Sequence, residues 1–254
     1  MTIAQPRSNE SRYTAEDDAV RCELAAIYRL LAHFQMTDLI YTHVSARLPG
    51  GHDRFLINPY GMLFHEICAS DLVEVGADGF PVDADSGALV NPAGFNIHSA
   101  IHAGRPEVRF VIHTHTRAGA AVSCQKDGLL PISQHALMFY DRLGYHEYEG
   151  FALDSEERAR LIQDIGDHKG LIMRNHGLLV VGRTAAEAFN RIYTLERACD
   201  IQIAALAGGR ELVEPTPQVQ AHTGHQANPE DLADWEELGW TAALRLLGQG
   251  NYRN

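Results

Sequence analysis

The stretch VRFVIHTHT, residues 108–116, carries more information about this chain than any other. Side chains along a β-strand point alternately to the two faces of a sheet, so residues two apart share a face. On that rule Phe110 and Ile112 lie on one face, while His113 and His115 lie together on the other. The stretch therefore predicts a buried strand that ends in two imidazoles aimed the same way.

A third histidine, His176, stands between Asn175 and Gly177, two residue types that are typical of turns. Three imidazoles, two from a strand and one from a distant turn, hold a divalent metal ion and leave coordination positions open, as in catalytic sites. We therefore predict His113, His115 and His176 as metal ligands. Spacing alone leaves open the alternative that the pair arose by chance, because the chain has 14 histidines.

Composition limits the classes of protein to consider. The chain has 254 residues, 45% of them apolar, which is enough for a full core in one large or two small domains. Its formal net charge of −12 argues against nucleic-acid and anionic-membrane partners. Four scattered cysteines without a C-x-x-C pair, an N-terminus without an apolar leader and no long apolar run predict a cytoplasmic protein.

Hydrophobic periodicity divides the chain into three regions. Residues 1–14 are predicted to be a disordered lead-in, residues 15–209 the folded domain, and residues 210–254 an exposed linker to about 229 followed by a helix. Helices are predicted over the segments 20–34, 95–103, 116–123, 154–167 and 184–206. Strands are predicted over the segments 42–47, 54–57, 72–75, 80–82, 129–133, 144–148, 170–173 and 178–181. This mixture predicts one α/β domain.

Two of the helix starts carry capping-box sequences. Asp154 and Glu157 have the spacing of N-cap and N3 residues, and Thr184 and Glu187 have the same spacing. Each pair predicts a helix whose first turn is closed by both side chains.

Several short segments share the order and spacing of a known family. They are THVSAR (42–47), NPYGM (58–62), DLVEV (71–75), HSAIHAGRPEV (98–108), HTH (113–115) and RNHG (174–177). Over about residues 20–208 the chain resembles the class II aldolase and adducin family, which includes sugar-phosphate aldolases, an epimerase and the head domain of adducin. The resemblance implies an α/β fold, a single three-layer α/β/α domain around a mostly antiparallel sheet. It also implies a cyclic homotetramer with active sites at subunit boundaries.

The same resemblance assigns a divalent metal ion to His113, His115 and His176, with zinc first and iron, manganese or cobalt as alternatives. Sugar-phosphate aldolases of the family carry Pro-Ser-Ser-Glu about twenty residues before the histidine pair. Here the aligned segment contains Ala93, Gly94 and Phe95. The two serines that help to hold phosphate are replaced, and the glutamate that moves protons has become a phenylalanine.

A further family motif, Gly-Asn-x-Ser, is changed at the strand that opens the domain. Thr42 and His43 stand where the family has glycine and the phosphate-binding asparagine, while Gly61 is retained. A phosphate dianion needs several strong donors. We therefore predict a small-molecule substrate without phosphate. Its pocket is predicted to be lined by Thr42, His43 and Gly61 and by the segment 93–95.

The missing glutamate leaves the proton carrier open. His43 is one candidate, because histidine titrates near neutral pH. His135 and Tyr140 are two others, and together with the predicted substrate contact Gln134 they lie where family members contribute residues to the pocket or to a neighbouring subunit. Tyr252 is a further candidate because C-terminal tyrosines reach the active site in some members, although an exposed tail is the ordinary expectation.

His98 and His102 are four residues apart on a predicted helix and so share one face. They lack the glutamate of the H-E-x-x-H zinc motif. We predict that they pack the helix rather than bind metal.

Three functions remain open on the sequence. The first is a metal-dependent lyase of the aldolase type that acts on an oxo or hydroxy-carbonyl compound. The second is a non-heme Fe(II) oxygenase, because three imidazoles also hold iron with positions open for O₂ and a keto acid. The third is a non-catalytic assembly domain like that of adducin, which the retention of all three histidines disfavours.

Overall fold

The fold is built on one central sheet. The computed structural model describes residues 13–50, 54–248 and 250–254, so all of the predicted lead-in at 1–14 except its last two residues lies outside the described residues. The strands are β1 (His43–Arg47), β2 (Phe55–Ile57), β3 (Val73–Val75), β4 (Phe110–Thr114), β5 (Leu143–His146), β6 (Gly170–Met173) and β7 (Gly177–Gly182). They run in the order β3-β2-β1-β4-β7-β6-β5. Only β5 and β6 pair in parallel, which confirms the mostly antiparallel sheet.

Helices cover both faces of this sheet. They are α1 (Ala15–His33), α2 (Pro92–Gly104), α3 (Arg117–Ser123), α4 (Gln134–Leu137), α5 (Glu157–Ile165), α6 (Ala185–Leu206), α7 (Pro217–Gln226) and α8 (Pro229–Leu244). The larger core joins α1, α3, α6 and α8 to one face, and the smaller core joins α2 and α5 to the other. The predicted three-layer α/β/α architecture is confirmed. Among the described helices, none is long and apolar enough to cross a membrane.

The alternation in β4 explains how one strand serves both cores. Phe110 and Ile112 pack in the larger core, and Val111 packs in the smaller one. His113 follows Val111 with the same parity, so its ring lies on the α2 side of the sheet. The two-residue period predicted this arrangement correctly.

Two predicted strands, at 80–82 and 129–133, are wrong. In the first, Pro81 makes an isolated bridge to Val75. In the second, the Leu130 N–H donates to the Gln202 side-chain oxygen at 2.7 Å instead of to a strand. Both segments have the right local composition. The first lies beside the edge strand β3, but Pro81 has no N–H with which to extend the pairing, and in the second a side chain takes the N–H that a strand partner would need.

The predicted linker at 210–229 is wrong in its second half, because residues 217–226 form α7. Thr216 caps this helix by accepting from the Val219 N–H. After α7 the chain returns to the larger core, where Trp240 is 5% exposed and Tyr252 is 4% exposed. Tyr252 is therefore a core residue and not part of an exposed tail.

The capping box predicted at Asp154 is also wrong. The helix begins at Glu157, and Asp154 instead accepts from the Glu156 N–H at 2.9 Å. The Glu157 carboxylate is turned inward, 3.2 Å from the Nε2 atom of His146. A buried partner from β5 thus takes the side chain that the local pattern assigned to the cap. At Thr184 the N-cap half of the prediction is confirmed, since its hydroxyl accepts from the Glu187 N–H at 3.1 Å, but the Glu187 carboxylate accepts from the N–H of Arg183 and not from that of Thr184.

Candidate metal centre

Sheet pairing brings the three histidines together at one end of the sheet, which we call the metal end. His113 lies in β4, and His115 follows the last residue of that strand. β7 pairs antiparallel with β4, so that Leu178 lies opposite Thr114. The turn that precedes β7 carries His176, and it therefore lies beside the end of β4.

The turn between β6 and β7 is shaped by its neighbouring residues. Asn175 adopts a φ of 56°, a left-handed conformation that asparagine tolerates better than most residues. A Cβ atom on Gly177 would lie 2.3 Å from the carbonyl oxygen of Thr114, so only glycine fits against β4. The His176 N–H donates to the Met173 carbonyl at 3.1 Å. The RNHG sequence thus fixes the position of the third imidazole.

The three Nε2 atoms converge. The distance from His113 Nε2 to His115 Nε2 is 2.8 Å, and the distance from His115 Nε2 to His176 Nε2 is also 2.8 Å. Among the described residues, these side chains form the one cluster of three potential metal ligands. This arrangement is the predicted ligand set.

Hydrogen bonds on the far side of two rings fix which nitrogens carry protons. His113 Nδ1 lies 2.9 Å from the carbonyl oxygen of Leu178, which can only accept. His115 Nδ1 lies 3.1 Å from a carboxylate oxygen of Asp38. In the neutral rings both protons therefore sit on Nδ1, and both Nε2 lone pairs face the centre of the cluster. Second partners of this kind orient metal-binding histidines.

Burial keeps His113 and His176 in the neutral form that binds metal. Burial, and then the neighbouring His176 and His115, lower the pKa of His113 well below its usual value. Burial, and then His115, lower the pKa of His176 to about 4. Neutral lone pairs that face one another at 2.8 Å repel, and a cation between them removes that repulsion. The residues present therefore fit a divalent ion of the kind that imidazole ligands suit.

A buried hydrogen-bonded chain runs from the metal end into the α2 layer. The ring of His43 stacks on that of His113 with centroids 5.0 Å apart. His43 Nδ1 lies 2.8 Å from His98 Nε2, and the other ring nitrogen of His98 lies 2.6 Å from the Ser45 hydroxyl. That hydroxyl also lies 2.8 Å from His102 Nε2. His98 and His102 thus tie α2 to β1, as their predicted packing role requires.

The first turn of α2 packs directly against His43. A Cβ atom on Gly94 would lie 2.5 Å from the His43 ring, so the loss of the serine found in sugar-phosphate aldolases makes room for this imidazole. The Asn91 side chain caps the helix and accepts from the N–H groups of Ala93 at 3.1 Å and Gly94 at 3.5 Å. The helix start therefore already has its own acceptor.

The remaining predicted pocket residues behave differently. Phe95 packs in a third apolar cluster with the side chains of β2 and β3 and presses against Gly79. Thr42 is fully buried, and its hydroxyl has no hydrogen-bond partner among the described residues. Gly61 adopts a φ of 112° in the loop after β2 and is exposed. Phe95 thus supports the fold, whereas Thr42 precedes His43 at the metal end.

Within one chain, the structure does not bring Gln134, His135 and Tyr140 to the three histidines. Gln134 is exposed and His135 half-buried, both in the short helix α4. Tyr140 lies three residues before β5, whose first residue pairs with Gly170 at the end of the sheet away from His176. Sequence reasoning also missed Asp38, which carries no motif, and the role of Ser45, which lies in the segment THVSAR but whose partners His98 and His102 are visible only through the fold.

The comparisons with known proteins agree with this geometry. The family described as Class II Aldolase and Adducin N-terminal domain matches residues 22–203. An aldolase II superfamily protein from Pseudomonas syringae has a crystal structure with 49% identity and a TM-score of 0.90, over 97% of this chain and 100% of that chain. The L-fuculose 1-phosphate aldolase from Glaciozyma antarctica has 26% identity and a TM-score of 0.84, over 100% of this chain and 97% of that chain.

Adducins form the second branch of relatives. Alpha-adducin of Mus musculus is 41% identical over 97% of this chain, which spans 35% of that longer protein. This chain belongs to the class II aldolase and adducin family.

Proposed function

We propose that this protein is a metal-dependent lyase of the aldolase type that acts on a small oxo or hydroxy-carbonyl compound without phosphate. The observation that carries the proposal is the convergence of three Nε2 lone pairs, two of them fixed by Nδ1 hydrogen bonds. Zinc is the first candidate for the ion, and three protein ligands leave positions for a substrate. An assembly role alone does not account for three intact and oriented ligands.

The chain's own residues divide the chemical work. A divalent ion bound to the three histidines supplies polarisation of a carbonyl oxygen, which stabilises negative charge when a neighbouring bond breaks. His43 is our proposed proton carrier, because its ring stacks on His113 and its Nδ1 is engaged by His98, which leaves Nε2 for the substrate. Burial, and then the neighbouring His98, hold the pKa of His43 well below its usual value, so the ring is neutral before the substrate binds.

The absence of phosphate from the proposed substrate rests on the start of α2. A helix N-terminus binds phosphate through its unpaired N–H groups. Here Asn91 takes up the N–H groups of Ala93 and Gly94, and the serine hydroxyls of the sugar-phosphate aldolases are absent. The pocket then favours a keto acid or another uncharged or monoanionic carbonyl compound.

Exposed apolar side chains beside the metal end support the homo-oligomer. Leu39 and Tyr41 follow Asp38 and are 65% and 49% exposed. The exposed ring of Tyr148 lies 6.4 Å from that of His176, and Phe151 nearby in sequence is 85% exposed. Apolar surface of this kind is typical of protein interfaces. We propose a homotetramer with the metal end at the subunit boundary, where His135 and Tyr140 of another copy remain candidates for catalysis, in a cytoplasmic protein.

The proposal is tested by measuring metal content and turnover together. Protein purified without added metal, under nitrogen, is analysed for bound elements and then given matched carbonyl compounds with and without a phosphate group. We expect one divalent ion per chain, cleavage of the free compounds, and at least tenfold lower kcat/KM for the phosphorylated ones. The His43→Gln variant is expected to keep its metal and lose kcat, because the amide cannot carry a proton.

Controls and outcomes separate the three functions. The exposed His222 in α7 provides the matched control, and His222→Gln is expected to change neither metal nor turnover. Bound iron with consumption of O₂ would establish the oxygenase instead. Protein that neither contains nor takes up metal would establish an adducin-like assembly role.

A further inference from the structure

A second candidate site lies at the opposite end of the same sheet, which we call the far end. A cavity of about 350 Å³ opens there, beside the segments that precede β4 and β6 and follow β7. It is lined by the charged side chains Arg105, Glu107, Arg142, Asp167, Lys169, Arg183, Glu187 and Arg191, among others. β4 spans five residues at about 3.3 Å each, so the cavity lies about 17 Å from the metal end.

The charge of this cavity runs against that of the whole chain. Five arginine or lysine side chains line it, against three carboxylates, although the chain has a net charge of −12. Lys169 is one of only two lysines in the sequence and is 8% exposed. Arg191 is 9% exposed. Burying a cation removes it from water, which is costly unless a negative charge or a hydrogen-bond acceptor compensates.

Main-chain carbonyls hold several of these cations in place. Arg142 Nη1 and Lys169 Nζ both donate to the carbonyl oxygen of Ala227, at 2.7 and 2.9 Å. Arg105 Nη1 donates to the Gly166 carbonyl at 2.6 Å. Carbonyl oxygens orient a cation but carry no net negative charge. The positive charge of Arg142, and that of Lys169 when its amine is protonated, is therefore held in position and not neutralised by these contacts.

The one buried carboxylate of the cavity is shared. Glu187 forms ion pairs with both Arg191 and Arg183, and Arg191 also donates to the Val181 carbonyl. The Nε atom of Arg191 is buried and has no hydrogen-bond partner among the described residues. A buried donor without a partner is uncommon and points to an absent acceptor.

The pKa of Lys169 reflects repulsion between its amine and the nearby guanidinium groups of Arg191 and Arg142. This pKa is lowered to about 7, first by burial and then by the nearby Arg191 and Arg142, whose effect exceeds the opposite effect of the carboxylates Glu236 and Glu187. An anion in the cavity would reverse the balance of these interactions and restore the charge of the amine.

We propose that the far-end cavity is a binding site for a phosphate group, either inorganic phosphate or a small phosphate monoester. Arginine side chains recognise tetrahedral oxyanions through pairs of parallel N–H groups, and a buried lysine adds a point charge. The cavity is large enough for a phosphate ester and lies away from the three histidines. It is therefore a second site, separate from the one at which the proposed lyase reaction takes place.

Binding is tested by calorimetric titration of the intact protein with inorganic phosphate and, separately, with glycerol phosphate, at constant ionic strength set by chloride. We expect one saturable phosphate per chain. The double substitution R142Q/R183Q is expected to weaken binding at least tenfold. The matched control R210Q/R245Q removes two exposed arginines outside the cavity and is expected to change the dissociation constant less than twofold.

Two further measurements keep the outcome clear. The His115→Ala variant is expected to bind phosphate as the parent does, which shows that the anion is not held at the metal end. Phosphate is also expected to slow the acetylation of Lys169 severalfold and to leave the exposed Lys126 unchanged, as read by mass spectrometry. If R142Q/R183Q fails to fold, the exposed Arg183→Gln alone takes its place.

The outcomes distinguish inorganic phosphate from an organic phosphate as the ligand, or show that the cavity is not a phosphate site. Tighter binding of glycerol phosphate than of inorganic phosphate would assign the site to an organic phosphate, and the reverse to the free ion. Saturable binding that survives R142Q/R183Q, or an absence of saturable binding at millimolar phosphate, would overturn the proposal. So would equal protection of both lysines.

Discussion

The two ends of the sheet show how the same burial has opposite consequences for different bases. At the metal end, burial drives His113 and His176 to the neutral form, and their lone pairs become ligands. At the far end, arginine stays charged even when buried, because its pKa starts far above neutral. The first environment therefore attracts a cation and the second an anion, although both are built from basic side chains at the ends of β4 and β7.

The largest difference between the two ends is expected from the His115→Ala variant. Its imidazole lies 2.8 Å from both other ligands, so its loss leaves only two nitrogens for the ion. We expect at least a hundredfold loss of metal affinity and no measurable turnover, with the fold retained by circular dichroism. Elemental analysis and competitive chelator titration measure the effect, with His222→Ala as the control. Full metal content in His115→Ala would show that His115 is not a ligand to the ion.

A substitution at the far end is expected to affect stability instead of metal content. Arg191→Met removes the buried partner of Glu187 and leaves it only the exposed Arg183, a change that costs about 3 kcal/mol or more. Urea unfolding measures this loss, while metal per chain stays at the parental value. On the same helix, Arg197 pairs with Asp200 at the surface, so Arg197→Met is expected to cost about 1 kcal/mol or less. Equal costs for the two variants would contradict this account of the far end.

A smaller effect is expected when the partner of a ligand is changed. Asp38→Asn weakens the acceptor that holds the Nδ1 proton of His115, and changes of this kind typically cost about 10- to 100-fold in metal affinity. Because the Asp38 side chain is 45% exposed, we expect little change in unfolding free energy. Asp200→Asn on α6 serves as the control, and unchanged metal affinity in Asp38→Asn would remove the orienting role.

The smallest effects are expected in the pH dependence of stability. His102 and His176 have folded pKa values of about 3 and about 4, below the usual 6.5, so the unfolded chain binds more protons between these values. In the metal-free protein, stability is thus fully present above about pH 6.5 and falls as pH drops, by at most about 1.4 kcal/mol per pH unit for each histidine.

Lys169, at the far end, is expected to make stability depend on pH over a separate, alkaline range. Its folded pKa of about 7 lies below the usual 10.5, so its contribution to stability rises with pH between those values. Urea titrations from pH 4 to pH 10 separate the two windows, and Lys169→Met is expected to flatten only the alkaline one. A flat acid limb in the parent protein would show that the histidines are charged when folded.

Local patterns predicted the members of the three-histidine cluster, although the pairing of β4 with β7 is needed to bring the turn beside the strand. His113 and His115 follow from a two-residue period, and the position of His176 follows from Asn175 and Gly177. Asp38 could not be predicted in the same way. It is an aspartate in a loop 77 residues before His115, and only the folded sheet brings the two together.

The errors in the fold have the same physical origin. The segment 217–226 contains one proline, three glutamines and two histidines, yet it forms a helix on which Gly224 packs closely against Tyr140. Glu157 has the spacing of a capping residue but bonds to His146. In both cases a tertiary contact outweighs a local preference, and a sequence without its partner strand or helix does not show that contact.

The binding of one divalent ion by His113, His115 and His176 is tested by X-ray absorption spectroscopy of the metal-loaded protein, together with its metal content. We expect one divalent ion per chain with three imidazole nitrogens at about 2.0–2.1 Å, the distance expected for zinc. Loss of one imidazole in His176→Gln should appear in the same spectrum. Protein that binds no ion, or an ion whose spectrum shows no imidazole ligands, would show that the three histidines do not form a metal site.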